Sequence, residues 1–486
     1  MRILYIDIDA LRPDHLGCYG YHRNTSPNID MLAAEGSRFT NCHTSDAPCL
    51  PSRTALYTGM FGIHSGVVGH GGTAADLFHE GATRGFRDRI DNECLPRKLQ
   101  CAGYHTAMIS PFGQRHSARQ FYAGFQEIHN TGGGGMESAG EVTPVLMKWL
   151  DDHVEEDNWF LHLNYWDVHT PYRVPESYGH PFENEPLPAW ITEEVWREHL
   201  NQVGPHKANE INMYDDLEDP DLPRHPGSLR TREDLRRMFD GYDTAIRYVD
   251  DQIGRLIFRL KQAGVYEDTL IILSSDHGEN MGELGIYGEH ATADSATCRV
   301  PLLIKGPGLV AGQVSEGLHY SLDLAPTLAD YLNLKHGSIW DGQSYADTLT
   351  RGEACGREQL VLSQCAHVCQ RSVRFGPWLY MRTYHDGFHL FPKEMLFNVE
   401  EDPHEQHDLA TTHPDLCREG AARLLDWHDE QMAGSITNVD PLWTVMREGG
   451  PLHARRKLKP YLDFLRKTGR EWAIPELERR HPKELS

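Results

Sequence analysis

The sequence predicts an α/β protein: a large, mostly parallel sheet sandwiched by helices, then a smaller C-terminal domain of antiparallel strands and helix. Three observations predict it. Helix and short apolar strand alternate repeatedly through residues 1–340. The character changes beyond that point, where strand-like runs follow one another directly over residues 341–486. And 486 residues are too many for one ordinary core.

The elements follow in order. "RILYIDID" reads as an apolar strand ending in the turn "LRPDHLGCYG". "SPNIDMLAAEGSRF" is a helix with Ser26 as N-cap, Pro27 at the first position and Gly36 as terminator. "RTALYTG" is a second helix, starting close to Cys49. "LPRKLQCAGYHTAMIS" reads as helix, glycine stop, strand. "EVTPVLMKWLDDH" with "NWFLHLNYWD" repeats that order, as does "YDTAIRYVDDQIGRLIFRLKQAG" with "TLIILSSDHGE". Residues 175–230 lapse into prolines and acids, the composition of a surface insertion beside a site. "LVLSQCAHVC", "SVRFGPWLYMRTY" and "EMLFNVEED" are the antiparallel strands of the second domain, with a helix at "HPDLCREGAARLLDWHDEQMA". The basic tail "ARRKLKPYLDFLRKTGREW" reads as a solvated helix.

Composition excludes several classes. A formal charge of −24 argues against nonspecific nucleic-acid or anionic-membrane binding, although a pocket can still be locally positive. No apolar run is long enough to span a bilayer, and the chain enters its first strand without a signal-like segment, so a cytoplasmic protein is expected. Ten cysteines in so long a chain are no disulfide scaffold. Alternation along one strand would put Cys365, His367 and Cys369 of "CAHVC" on one face, too cramped for tetrahedral zinc.

Acids gather where ligands of a parallel sheet collect, at the carboxyl ends of strands. Asp7 and Asp9 share a face of "IDID", and Asp276 and His277 end "ILSSDHGE". Such carboxylates repel one another unless a cation neutralises them. Oxygen-rich ligation suits calcium first, then magnesium or manganese. The bland alternative is that Asp7 or Asp9 caps a neighbouring turn. Cys49 in "APCLPSRTALYTG" is, on spacing alone, best read as a small buried hydrophobe.

An ordered set of motifs reverses that reading. "PCLPSRTALYTG" resembles the signature of type I, formylglycine-dependent sulfatases, with Tyr57 where leucine is usual. "DALRPDHLGCYGYHRNTSPNID", "DVHTPY", "SSDHGE", "CRVPLLIKGPG" and "LFNVEEDPHEQHDLA" occur in that family's order. The resemblance implies an alkaline phosphatase-like fold and hydrolysis of an organic sulfate ester, on a sugar by analogy. It implies that a formylglycine-generating enzyme oxidises Cys49 to an aldehyde whose hydrate attacks sulfur beside a single divalent cation. Arg53 then matches the arginine that holds the hydrate, His169 the histidine at the leaving oxygen, and His116 the histidine that assists breakdown of the sulfated intermediate. Gln114 stands where lysine is usual, so Arg115 is the nearby candidate cation, and His290 falls near a second lysine position. The metal ligands implied are Asp9, Asp276, His277 and residue 49. Ala10 stands where many sulfatases have a second aspartate, and Asp7 is the candidate substitute. A phosphonate monoester or phosphodiester hydrolase is the alternative, and a noncatalytic binding protein on the same scaffold is the third reading.

Overall fold

The computed structural model describes residues 1–78, 89–203 and 219–485. Part of the expected 175–230 insertion, at 204–218, lies outside the described residues. The eight-stranded sheet has the order Gln313–Tyr320, Ser37–His43, Arg299–Lys305, Thr269–Ser274, Arg2–Ile8, Trp159–Tyr165, His105–Ile109, Glu127–His129. Arg299–Lys305 runs antiparallel to both its neighbours, and the other pairings are parallel. The central strand Arg2–Ile8 is buried at every position, as its apolar run requires when helices cover both faces. Each Leu or Ile buried there contributes roughly 1.5–3 kcal/mol.

Register explains where the site forms. Asp7 lies level with Asn164 on one side and Ser274 on the other, so three parallel strands end at one edge. The chain leaving them supplies Asp9, then the segment Trp166 to His169, then Asp276 and His277. The long helix Arg232–Gln262, opened by a Thr231–Asp234 capping box, packs its apolar stripe under this edge with Tyr242, Ile246 and Val249.

Two local expectations change. Ser26 does occupy the N-cap position of Pro27–Glu35, but its hydroxyl gives that helix no cap. The amides of Asn28 and Ile29 donate instead to the Asp250 carboxylate of the long helix (2.9–3.1 Å). The tail helix Leu458–Lys467 is not merely solvated: Leu458, Tyr461, Leu462 and Leu465 are buried in a cluster with Leu477 and Phe388.

The second sheet has the order Glu394–Asn398, Trp378–His385, Cys369–Phe375, Gln359–Gln364, Asp46–Ala47. Its last member is the two-residue strand just before Cys49, parallel to Gln359–Gln364. "CAHVC" is not one strand face. Residues 365–368 form the turn of the hairpin joining Gln359–Gln364 to Cys369–Phe375, because those strands pair antiparallel from Gln359↔Phe375 to Gln364↔Gln370. Among the described residues, no helix is long and apolar enough to cross a membrane.

Candidate active site

Cys49 is the first residue of the helix Cys49–Thr58, every position of which is buried. Arg53 follows one turn later, so the two side chains share the face turned to the strand edge. Ser52 anchors the helix by donating to the Asp276 carbonyl (2.6 Å).

The Arg53 guanidinium is the hub. Nε donates to Asp7 Oδ2 (2.7 Å) and Nη2 to Asp9 Oδ2 (3.0 Å). Nη1 sits 2.8 Å from Asp276 Oδ2, too poorly angled to donate a hydrogen bond. Phe112 stacks 4.3 Å from the guanidinium carbon and Trp166 lies 5.4 Å away, which fixes its plane. Burial raises the Asp9 carboxyl, but Arg53 and then His169 and His277 outweigh it and hold it below the usual range. At Asp276 burial prevails over Arg53, and the carboxyl rises to about 6.

Asp9, Cys49, Asp276 and His277 each bring one ligand atom into a set lying within 4.8 Å of one another. His277 Nδ1 donates to the Gly278 carbonyl (2.7 Å), which leaves the Nε2 lone pair facing the site. Cys49 Sγ lies 3.1 Å from that Nε2, and Asp276 Oδ2 lies 3.3 Å from it. Asp9 Oδ1 and Asp276 Oδ2 are buried and receive no hydrogen bond. Orphaned carboxylate oxygens aimed at one point are what a divalent cation satisfies, and one guanidinium against three carboxylates leaves two negative charges to balance. The residues therefore fit a cation. Burial first, then Asp9 and Asp276, push the Cys49 thiol well above its ordinary value, the reverse of the setting that makes a reactive thiolate.

Asp7 does not join the ligand set. Its Oδ2 takes Arg53 Nε and, at 3.2 Å, His162 Nε2, while His162 Nδ1 accepts from the Tyr57 hydroxyl (2.7 Å). Tyr57, out of place in the motif, is thus the end of a buried chain Tyr57–His162–Asp7–Arg53. Ala10 has φ +60°, an uncommon conformation for a residue with a Cβ, and is held by donating to Asp276 Oδ1 (3.2 Å) while its carbonyl accepts from Tyr242 (2.8 Å).

His169 and His290 both reach Cys49: with His277 they form a second set of ligand atoms within 4.8 Å. His169 donates from Nδ1 to the Thr170 carbonyl, leaving Nε2 toward the site. Burial lowers His169 and His116 to about 3 each. His116 lies further out, its ring 4.4 Å from Phe112 and 5.2 Å from His70. Arg115 stacks 5.1 Å from Trp166 and donates to Gly134 (3.2 Å), whereas Gln114 is exposed and turned to Asn130.

Sequence reasoning missed His162, His70 and His453, and read His367 only as part of a "CAHVC" strand. His162 sits unmarked in an apolar strand, and His70 and His453 lie on separate loops with no motif around them. Gln364 could not be foreseen either. Its amide nitrogen donates to the His290 carbonyl (2.7 Å), and its oxygen accepts from Ala366 (2.8 Å) and His367 (3.0 Å), tying the second sheet to the site.

A cation-ready cluster of buried carboxylates at the edge of a mixed α/β sheet, with a buried cysteine at a helix start beside it, is an arrangement consistent with the alkaline phosphatase-like class. The chain matches the family model described as Sulfatase over residues 2–334, and it belongs to that family. It is a sulfuric ester hydrolase. It is 27% identical to the choline-sulfatase of Rhizobium meliloti over 79% of this chain and 77% of that one. A phosphonate monoester hydrolase of Agrobacterium radiobacter shares the fold (TM-score 0.68, 22% identity, 88% of this chain and 95% of that one). So does a protein solved in complex with its substrate D-glucosamine-2-N,6-O-disulfate (TM-score 0.69, 19% identity, 90% and 99%).

Proposed function

We propose that this chain hydrolyses the sulfate ester of a saccharide, using residue 49 as oxidised cysteine and one divalent cation held by Asp9, Asp276, His277 and residue 49. The observation that carries this is the convergence of those four side chains, two of them with orphaned buried carboxylate oxygens. Oxygen-rich ligation favours calcium over magnesium or manganese, and a cation there would neutralise sulfuryl oxygens and lower the pKa of an attacking oxygen. Formylglycine at position 49, made by a maturing enzyme, supplies as its hydrate two hydroxyls on one carbon, one for attack and one for release of sulfate.

The chain's own residues do the rest. Arg53 holds Asp9 and Asp7 in place and presents Nη1, which makes no hydrogen bond, toward the strand edge. Asp7 acts through Arg53 rather than on the metal. His169 faces the site through Nε2; an anionic ester beside it favours a proton there, which the leaving oxygen can take. His290 joins the same cluster, His116 lies further out, and Arg115 is a second cation near the site after Arg53. Residues 1–340 supply the ligands, and residues 341–486 brace them through the second sheet. The saccharide assignment draws on the disulfated glucosamine bound by a fold relative.

The test is a peptide-mass measurement across Cys49, paired with turnover of an aryl sulfate and of phenyl phosphonate before and after chelation. Sulfate turnover that chelation abolishes and calcium restores supports the reading. Preference for the phosphonate, or full activity after exhaustive chelation, overturns it.

A further inference from the structure

Three loops from distant parts of the chain each carry a histidine to the mouth of the site. His70 comes from the glycine-rich stretch 66–72, His367 from the hairpin turn 365–368, and His453 from the segment that follows the helix Pro441–Arg447. The rings form a continuous file leading out from the ligand set. His277 to His290 is 4.3 Å, His290 to His367 4.9 Å, His367 to His453 4.3 Å, and His453 to His70 5.2 Å. His116 closes the file beside His70 at 5.2 Å.

The loops are built to meet. A Cβ added to Gly71 would lie 2.7 Å from Leu452 Cδ2, and one added to Gly72 would lie 2.1 Å from Glu448 Oε2. Glycine at both positions lets the backbone approach the C-terminal segment directly. Thr73 then donates from its amide (3.2 Å) and its hydroxyl (2.5 Å) to Glu448. The His453 amide donates to the Ala366 carbonyl at 3.0 Å, joining the second and third loops.

Their hydrogen bonds fix what the rings offer. The Leu50 amide points at His70 Nε2 (3.5 Å), so that nitrogen is the acceptor and Nδ1 carries the proton. His70 Nδ1 donates to His453 Nε2 at 3.0 Å, which leaves His453 Nδ1 as an N–H donor. Burial lowers all three rings, His453 to about 4, so they are neutral at pH 7. His70 and His453 are half-buried while His367 is only 5% exposed, so the file runs from interior to solvent. Two of the three residues lie beyond the matched family segment, which ends at residue 334.

We propose that His70, His367 and His453 form a hydrogen-bonding subsite for the alcohol part of the ester, selecting a hydroxyl-rich saccharide, with His453 as the specificity-determining residue. This rests on the sulfatase reading above. His453 Nδ1–H is the donor that remains once Leu50 has bonded His70 Nε2 and His70 Nδ1 has bonded His453 Nε2, a group that a sugar hydroxyl can accept from and that a flat aryl leaving group cannot use. Floor and wall then have separate duties: the strand-edge residues handle the sulfuryl group, and the three loops, two of them beyond residue 334, read the alcohol.

The test compares wild type, His453→Ala, His453→Asn and His70→Gln on 4-nitrophenyl sulfate and a panel of monosaccharide O-sulfates. The full chain, matured at Cys49, is used throughout. For the best saccharide, His453→Ala should lower kcat/KM about tenfold, mainly through KM, with turnover of the aryl sulfate nearly unchanged. His453→Asn, which restores a donor and an acceptor, should recover part of the loss, and His70→Gln should fall between. Equal losses on both substrates, or no loss on either, overturn the subsite. A wild type that cleaves the aryl sulfate but no saccharide sulfate overturns the subsite and leaves the sulfatase reading standing. A wild type that cleaves only phenyl phosphonate overturns that reading itself.

Discussion

Asp7→Asn separates an anchor from a ligand. In the wild type, Asp7 Oδ2 accepts from Arg53 Nε (2.7 Å) and His162 Nε2 (3.2 Å), all three side chains being buried. Asparagine can keep its oxygen at the Oδ2 position for both Arg53 and His162, which places its NH2 at Oδ1, a buried position with no hydrogen-bond partner. Arg53 keeps Asp9 and Asp276, so the cost is that of one charge-assisted bond, about 1.5–3 kcal/mol, and not the larger penalty of a stranded buried charge. Calcium affinity, measured by calorimetry or chelator competition, should fall by less than about tenfold, because only a distant charge is lost. Asp9→Asn, which alters a ligand, should lose affinity far more severely. If Asp7→Asn abolishes calcium binding as fully as Asp9→Asn, Asp7 is a ligand and the anchoring chain is wrongly drawn.

Cys49→Ala should abolish turnover while costing about 1 kcal/mol or less of stability, since alanine fits the thiol's space; residual activity near wild type refutes oxidised Cys49 as the nucleophile. Tyr57→Phe strands a buried acceptor on His162 and should lower the urea midpoint by the equivalent of about 1–2 kcal/mol, with kcat nearly unchanged. The Asp386 carboxyl is raised by burial but more strongly lowered by His481 and His385, and it settles at about 2. A folded pKa below the unfolded one stabilises at pH above about 4 and loses that contribution as pH falls toward 2. Pepsin should therefore release the tail, which Asp386 pins through His481 (2.7 Å) and Arg480 (2.9 Å), increasingly over that window; a release rate flat across it would show the pin to be inert.

The sheet and the acids at its edge were legible because each depends on local pattern, whereas Cys49, on spacing a small buried hydrophobe, joined them only through the motif resemblance. Apolar strands, helix stops and acids at strand ends all sit within a few residues of one another. What was hidden depends on distance. The role of Asp7 turns on His162 and Tyr57, whose meeting needs the strand order and not the strand itself. "CAHVC" was misread because the same alternation describes a strand and a hairpin whose turn falls at 365–368. The Ser26 cap was inferred from its position alone, and Asp250, more than 200 residues later, supplied the carboxylate. His453 joins His70 across 383 positions, which no spacing rule reaches.

The strand Asp46–Ala47 carries a consequence for the order of events during synthesis. It closes onto Gln359–Gln364, so the stretch beside Cys49 finds its partner only after roughly 300 more residues have been made. Once folded, Cys49 is 2% exposed, out of reach of any second protein. At about 5–20 residues per second, the ribosome leaves that thiol accessible for about 15–60 s. The proposed oxidation is then a race between a modifying enzyme and the arrival of the second sheet, and the fraction of active molecules becomes a property of how fast the chain was made.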